Sequence, residues 1–568
     1  MGLTFLVFDE RGAPAQTLAL RNAHLLEADN VVTPGSIVFT DGLLRCEPAV
    51  DGAAALGLQW PVGDEARLTL RTSLLPQREA PYLLSLELAR RAIMLFLVKL
   101  EDWGLHELPD NNPAMEVFEQ ARAKFIDALC KQPAPAAGAS APSDPFAHVT
   151  SEQDELAKQA LAYAVDASER LALTRADEDL GARLAKAPIS MDTAGDAKAQ
   201  NTTVDAARSL GRPLVGCAIT GEKFSGPLTR VVRDSFDFIN LPMRWVDLEP
   251  VEGRYDFSKT DRWIEWAVRT AKMPVVGGPI VDLGVGACPD WLHIWENDYE
   301  TLRDLVFGHV KKIVTRYRRT VRSWTIVSSL EVADAFNLTV EEAIDLTRTC
   351  ALVVRKLQRN ARITVDIAQP FGEYGAYDAA RTLPPHHYAE LIGQAGVSVD
   401  KFGVRLQVGD AAQGRSARDL ATLSDVLDRF SVYEKPVAVT AIGAPGRPVE
   451  PSREDTLASR DGGYWQGQWS ETAQADWMAR ALLIALAKPY IASVCWQELY
   501  DTGAAGLMPA GGLISADGQP RQALRRMTEI HRRLTQPAAD PTGGAAEVGA
   551  LAQADMGASS ASTPVESD

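Results

Sequence analysis

Between Leu214 and Leu534, short runs of apolar and β-branched residues alternate with stretches whose apolar positions recur every three or four residues. The runs LVGCAI, FDFINL, PVVGGPIV, SWTIVS, RITVDIA, FGVRLQ, PVAVTAI and IASVCWQ read as strands, since a near-continuous apolar run bounded by turn residues fits a strand covered on both faces. Segments such as DRWIEWAVRTAK, TLRDLVFGHVKKIVTRYRR and VEEAIDLTRTCALVVRKLQR carry the helical period. Eight such β/α units predict an α/β protein with a (β/α)8 TIM barrel over residues 205–535, whose ligand site forms at the C-terminal ends of the strands. The seventh strand is parted from its helix by a long loop, Gly443 to Ser470.

The segments ahead of the barrel have other periods. Residues 1–80 alternate in short runs punctuated by Asp-Gly and Gly-Asp, which predicts a small antiparallel β domain. Residues 81–131 hold two amphipathic stretches divided by Asn-Asn-Pro, a helical hairpin. Residues 132–150 form a Pro/Ala/Ser linker, and residues 151–204 a helical connector opened by a Ser-x-x-Asp cap at Ser151. The Ala/Gly/Ser-rich residues 536–568 are expected to be a disordered tail. The linker further predicts that Ser151 to Asp568 folds as a soluble unit without the residues before it.

Composition narrows the function classes. With 58 Lys+Arg against 75 Asp+Glu the net charge is −17, which argues against nucleic acid and against anionic membranes, because both need clustered positive charge. The apolar run Ala92–Val98 falls far short of the roughly 20 residues a membrane span needs. The start MGLTFLVFDERGAP lacks the basic-then-apolar order of a secretory signal, so a cytoplasmic location is expected. The six cysteines form no C-x-x-C pair, so neither a metal centre nor a disulfide framework is expected. His386 and His387 follow Pro384-Pro385 and read as the start of a helix rather than as metal ligands. Gly284 and Gly286 lack the strand-turn-helix setting of a dinucleotide site, and no cofactor is expected.

The second unit reads MRWVDLEPVEGRYDFSKTDRWIEWA from Met243 to Ala267. This resembles the family-10 glycoside hydrolases, the endo-β-1,4-xylanases, whose second strand runs into a M-K-W-x-x-x-E-P-x-x-G-x-Y-x-F-x-x-x-D pattern. The resemblance continues in Pro289-Asp290-Trp291, in HVKKIVTRYRRTVRSWTIV, in Gln407 and Trp496, and in GGLISADGQPRQAL. It covers the barrel only. It implies an oligosaccharide ligand held by Arg244, Trp245, Gln407 and Trp496, with Trp465 and Trp469 of the seventh loop as candidate stacking platforms.

Family-10 enzymes retain anomeric configuration with two carboxyl groups about 5 to 5.5 Å apart. The resemblance puts the acid/base glutamate at Ser329, after Ser328 in the asparagine position, and the nucleophile at Ala441, with Gly443 in place of the following aspartate. Neither residue can do that chemistry: a serine hydroxyl is too weak an acid, and a methyl group cannot attack. The sugar-contacting positions change as well. Asn240 and Leu241 stand for Glu-Asn, Gly278 for histidine, Asp282 for tryptophan and Gly409 for histidine. The expectation is a pseudo-hydrolase that is inactive as a xylanase and serves in carbohydrate binding or as a scaffold. The alternative is an active glycoside hydrolase with relocated carboxylates, chiefly Glu331 or Glu498, among the strand-end acids Asp282, Asp366, Glu373 and Asp501.

Overall fold

The computed structural model describes residues 2–49, 51–131, 144–186, 211–332, 336–376, 383–449, 461–503 and 508–535. Most of the expected linker, the end of the expected connector and the tail lie outside these residues.

Eight parallel strands close on themselves: Leu214–Ala218, Phe238–Leu241, a third in two pieces (Val275–Gly277 and Val281–Asp282), Ser323–Ser328, Arg362–Ile367, Lys401–Gln407, Val437–Gly443 and Ile491–Trp496. Closure is the pairing of the eighth strand with the first, Trp496 opposite Cys217. Five of the eight strands fall within the runs read from the sequence, and the third, sixth and seventh exceed theirs by one residue each, Asp282, Lys401 and Gly443. Each is short enough, and apolar enough on both faces, to leave no other solution than coverage by helices. Those helices begin where a side chain accepts from the N–H three residues on: Ser225 from Leu228, Asp298 from Thr301, Thr339 from Glu342, Asp419 from Thr422 and Ser470 from Ala473.

Ahead of the barrel are two four-stranded sheets. One holds His24–Leu26, Val32–Thr33, Ala55–Val62 and Ala66–Arg71, all antiparallel. The other holds Gly35–Thr40, Leu43–Pro48, Leu3–Leu6 and Tyr82–Leu83. In it Leu3–Leu6 pairs in parallel with Tyr82–Leu83, a departure from the wholly antiparallel unit expected. The Asp41-Gly42 turn has φ +48° and +77°, the left-handed pair that suits a tight hairpin and that the Asp-Gly signal encodes. Helices α1 (Leu84–Asp102) and α2 (Pro113–Cys130) follow, then α3 (Ser151–Lys186). The cap of α3 is Thr150, not Ser151: its hydroxyl accepts from Gln153 N at 3.1 Å. Asp154 instead bonds Ser85 and Lys158.

α3 does not act as a connector. Its 36 residues span about 54 Å, with α1 and α2 on one side and the barrel helices Leu420–Phe430 and Glu471–Ala487 on the other. At one end Arg183 donates to the carbonyls of Leu486 (2.9 Å), Lys488 (2.8 Å) and Ile491 (2.8 Å), at the start of strand eight. At its middle, Glu169 accepts from Leu420 N and from Trp465 Nε1. A single contiguous core therefore runs from Leu58 and Trp60 through Leu173 and Leu180 to Leu482 and Trp496.

The amino-terminal sheet is also joined to the barrel by backbone. Arg67 and Tyr464 exchange N–H···O bonds of 2.8 and 3.1 Å, and Thr69 N donates to Ala417 O at 2.8 Å. Tyr464 and Ala417 belong to the loops after strands seven and six, so the edge strand Ala66–Arg71 is extended by loops at the site end of the barrel. The sparse contact expected across the linker is thus corrected: the apolar face of α3 and the free edge of the sheet are both satisfied by the barrel.

Candidate functional site: the strand ends of the barrel

Parity along strand six, Lys401–Gln407, sends Arg405 and Gln407 to the same face, toward the barrel interior. The Arg405 guanidinium reaches Asp366 of strand five through Nε (2.6 Å) and, through Nη2, Asp282 of strand three (3.0 Å) and Ser328 Oγ of strand four (2.7 Å). Ser328 Oγ also donates to Asp366 Oδ2 at 2.7 Å, and Thr440 Oγ1 of strand seven donates to Asp366 Oδ1. Ser329 Oγ donates to Asp282 Oδ1 at 2.8 Å, and Gly284 N donates to the same oxygen at 3.0 Å. Five strands are tied through one cation.

Burial would raise the Asp282 carboxyl, but Arg405, the Gly284 N–H and the Ser329 hydroxyl together hold it below the usual carboxylate range. Burial would likewise lower Arg405, and the two aspartates push it above the ordinary arginine value. The group is a locked ion triad. An isolated charge buried here would cost several kcal/mol, so each member needs the others.

Ser329 sits in the left-handed region with φ +62°, a conformation unfavourable for a non-glycine residue by roughly 1–2 kcal/mol. Its bond to Asp282 offsets that cost. Ala441 is paired in register with Arg405. The two positions assigned to the family's carboxylates therefore flank the triad, one bonded to it and one beside it.

The positions assigned to sugar contacts are filled by other groups. Gly278 has φ +113°, and a Cβ there would overlap the carbonyl of Thr325, so this backbone admits no imidazole. A Cβ at Gly409, φ +82°, would overlap the Trp469 indole, and one at Gly443 would overlap the Gln497 carboxamide. The Asn240 amide donates to the carbonyls of Val276 (3.2 Å) and Gly278 (3.1 Å), bracing the break in strand three. Gly403 is required for the triad itself, because a Cβ there would overlap Asp366 and Thr440.

The other predicted residues are dispersed. Gln407 stays at the strand ends, its Nε2 donating to Gln497 Oε1. Arg244 lies at the rim, bonded to the Gly286 carbonyl and to Asp247. Trp245 is buried, donates to Glu249 Oε2 at 2.7 Å and stacks on His309 at 4.0 Å. Tyr255 bonds His309, and Trp291 donates to the Glu249 carbonyl. The most recognisable motif in the chain thus builds an internal aromatic cluster. Trp496 is fully buried and donates to Gly511 O. Trp465 and Trp469, expected as platforms, are each 2% exposed. Trp465 faces α3 through Glu169, and Trp469 donates to Gly463 O. Their ring faces are committed to packing.

Glu331 is fully buried. Its Oε1 accepts from Ala368 N (2.6 Å) and Gln369 N (3.1 Å), while Oε2 has no partner. Burial pushes it up to about 7. Glu498 is also pushed up to about 7, chiefly by burial, and accepts from Thr502 Oγ1 at 2.8 Å. The two follow strands four and eight, and each is bonded to groups beside its own strand end rather than to the other. Arg405 was not anticipated, although its parity with Gln407 and its charge within an apolar strand were visible in FGVRLQ. Among the described residues no group of three or more His, Cys, Asp and Glu could hold a metal ion. No helix among them is long and apolar enough to cross a membrane.

Residues 203–351 match the model of glycosyl hydrolase family 10. That span includes Ser329 and ends before Ala441. Endo-1,4-beta-xylanase 2 of Aureobasidium pullulans is 23% identical over 274 residues, 45% of this chain and 72% of its own length. Endo-1,4-beta-xylanase B of Thermotoga neapolitana is 30% identical over 86 residues, 15% of this chain and 24% of its own length. Among solved structures, xylanase 10B of Thermotoga petrophila RKU-1 in complex with xylobiose gives a TM-score of 0.42 at 16% identity, covering 59% of this chain and 99% of that one. The carboxy-terminal barrel of this chain is, in sequence, similar to the family-10 glycoside hydrolases, and two sheets and three helices precede it.

Proposed function

We propose that this chain is a pseudo-hydrolase: a family-10-like barrel that does not cleave xylan and that serves as a scaffold for its amino-terminal sheets and helices. The observation that carries the reading is the Asp282–Arg405–Asp366 triad, which takes up the strand ends where retaining hydrolysis would need two free carboxyl groups. Three further facts support it. The places of the lost side chains are occupied by Trp469, Gln497 and backbone. The tryptophans available for stacking on sugar are buried. The loops after strands six and seven are engaged by the chain's own sheet.

The test is release of sugar from xylan and from aryl β-xylosides, over long incubations, with an active family-10 enzyme as control. No turnover is expected. The double variant Ser329→Glu/Ala441→Glu is expected to recover at most slight activity: a carboxylate at 329 would face Asp282, and the groups that orient the sugar, whose positioning contributes on the order of 7–11 kcal/mol, are gone. Robust product release by the parent, abolished in Glu331→Gln or Glu498→Gln, would replace this reading with a relocated-carboxylate enzyme.

A further inference from the structure

A cavity of about 470 Å³ lies outside the barrel wall, between the amino-terminal sheet, α1, α3, the loop after strand five and the helix Leu420–Phe430. Its volume is in the range of small-molecule sites. Part of its lining is apolar, with Leu70, Leu88, Leu95, Val165 and Val426 from four of those elements. Arg71, from the end of the sheet's edge strand, and Arg91, from α1, also line it.

Neither guanidinium has a hydrogen-bond or ion-pair partner among the described residues. The acids around them are already committed. Asp425 is bonded to Lys99 and Arg429, both at 2.9 Å, and Glu373 is bonded to Arg418. Asp419 accepts from the Thr422 N–H and hydroxyl as a helix cap, and Asp29 is exposed at the rim. Burial lowers Arg71 to about 9, with the charges of Arg91 and Arg429 adding to the fall and those of Asp425 and Asp419 opposing it. A second polar group is unsatisfied in the same lining: His386 Nε2 is buried without a partner, its ring stacked on Phe430 at 4.6 Å. Two half-buried cations without ion-pair partners and an orphan ring nitrogen thus line one partly apolar cavity, a set of donors that an anion would satisfy.

We propose that this cavity binds a small organic anion, one carboxylate or phosphate group held by Arg71 and Arg91 with an apolar body against the leucines. Planar guanidinium groups suit either head group, each offering paired N–H donors to two oxygens. Because the walls come from both the amino-terminal region and the barrel, the ligand would also join the two. The inference is independent of whether the barrel hydrolyses anything.

Calorimetry and thermal unfolding of the full chain with octanoate, octyl phosphate, octanol and inorganic phosphate test it. One saturable site per chain is expected for octanoate, octyl phosphate or both, with a raised melting temperature and weaker binding of octanol and inorganic phosphate. A preference between the two anions identifies the head group. Affinity should fall at least about tenfold in Arg71→Gln/Arg91→Gln, and the rise in melting temperature with ligand should shrink with it. Should that variant not fold, Arg91→Lys keeps the charge and loses the fork, and a fall in affinity is again expected. Absence of saturable binding by both anions, equal binding of octanol, or parental affinity in these variants would overturn the proposal.

Discussion

Arg405 takes its place beside Ala441 because strand parity allows nothing else, and once inside the barrel it must be neutralised. Asp282 and Asp366 do so from strands three and five, Ser328 and Thr440 complete the bonding, and Gly403 leaves the room. Removing the cation alone would strand two carboxylates, which breaks a buried pair at a cost of about 3–5 kcal/mol. Glu331 illustrates the opposite case, a buried acid with no cation. Its carboxyl is pushed up to about 7 by burial, against roughly 4.3 in an unfolded chain. The folded state therefore binds the extra proton between those values, and stability falls as pH rises through that window. The loss amounts to about 3 kcal/mol by pH 8. In Glu331→Gln this component should be absent. Urea unfolding from pH 5 to pH 8 should show a parent that loses more stability than the variant, and parallel pH profiles would refute the assignment. The charge of Arg405 in an apolar strand was readable from the chain. Its partners were not, because they come from loops and strands up to 123 residues away.

α3 shows how far an element can depart from its sequence signal. Its helical period is plain, but a helix covered from two sides has no single polar face, so periodicity cannot say what it packs against. Arg183 settles one end of it. The side chain is buried and its guanidinium donates to carbonyls at Leu486, Lys488, Ile491 and Gly211, and burial lowers it to about 10. Arg183→Met keeps much of the stem packing and takes the guanidinium donor from all four carbonyls, of which Lys488 O retains the Ile491 N–H. Each unsatisfied buried group costs about 1–3 kcal/mol, so a loss on the order of 3 kcal/mol or more is expected in denaturant unfolding. A change within about 0.5 kcal/mol, the usual size for a surface substitution, would show that α3 is held by apolar contact alone.

At the scale of the whole molecule, the amino-terminal region and the barrel share one core and one set of edge hydrogen bonds. A chain beginning at Ser151 would expose the faces of α3 that α1 and α2 cover and free the loops that now pair with Ala66–Arg71. Such a chain is expected to be poorly soluble or to lose its cooperative transition. A sharp thermal transition at the parent's temperature would show instead that the barrel stands alone.

The eight strands, their helices and the hairpin turn at Asp41-Gly42 were legible in the sequence, because each follows from local period and turn chemistry within a few residues. That Ser329 and Ala441 carry no carboxylate was also legible, since a residue type is read wherever it lies. The burial of Trp465 and Trp469, the closing of the strand ends around Arg405, and the cavity between Arg71 and Arg91 were decided only by tertiary structure. Each depends on which distant surfaces meet, and apolar and charged side chains look alike in a sequence whether they face a ligand, a neighbouring element or water.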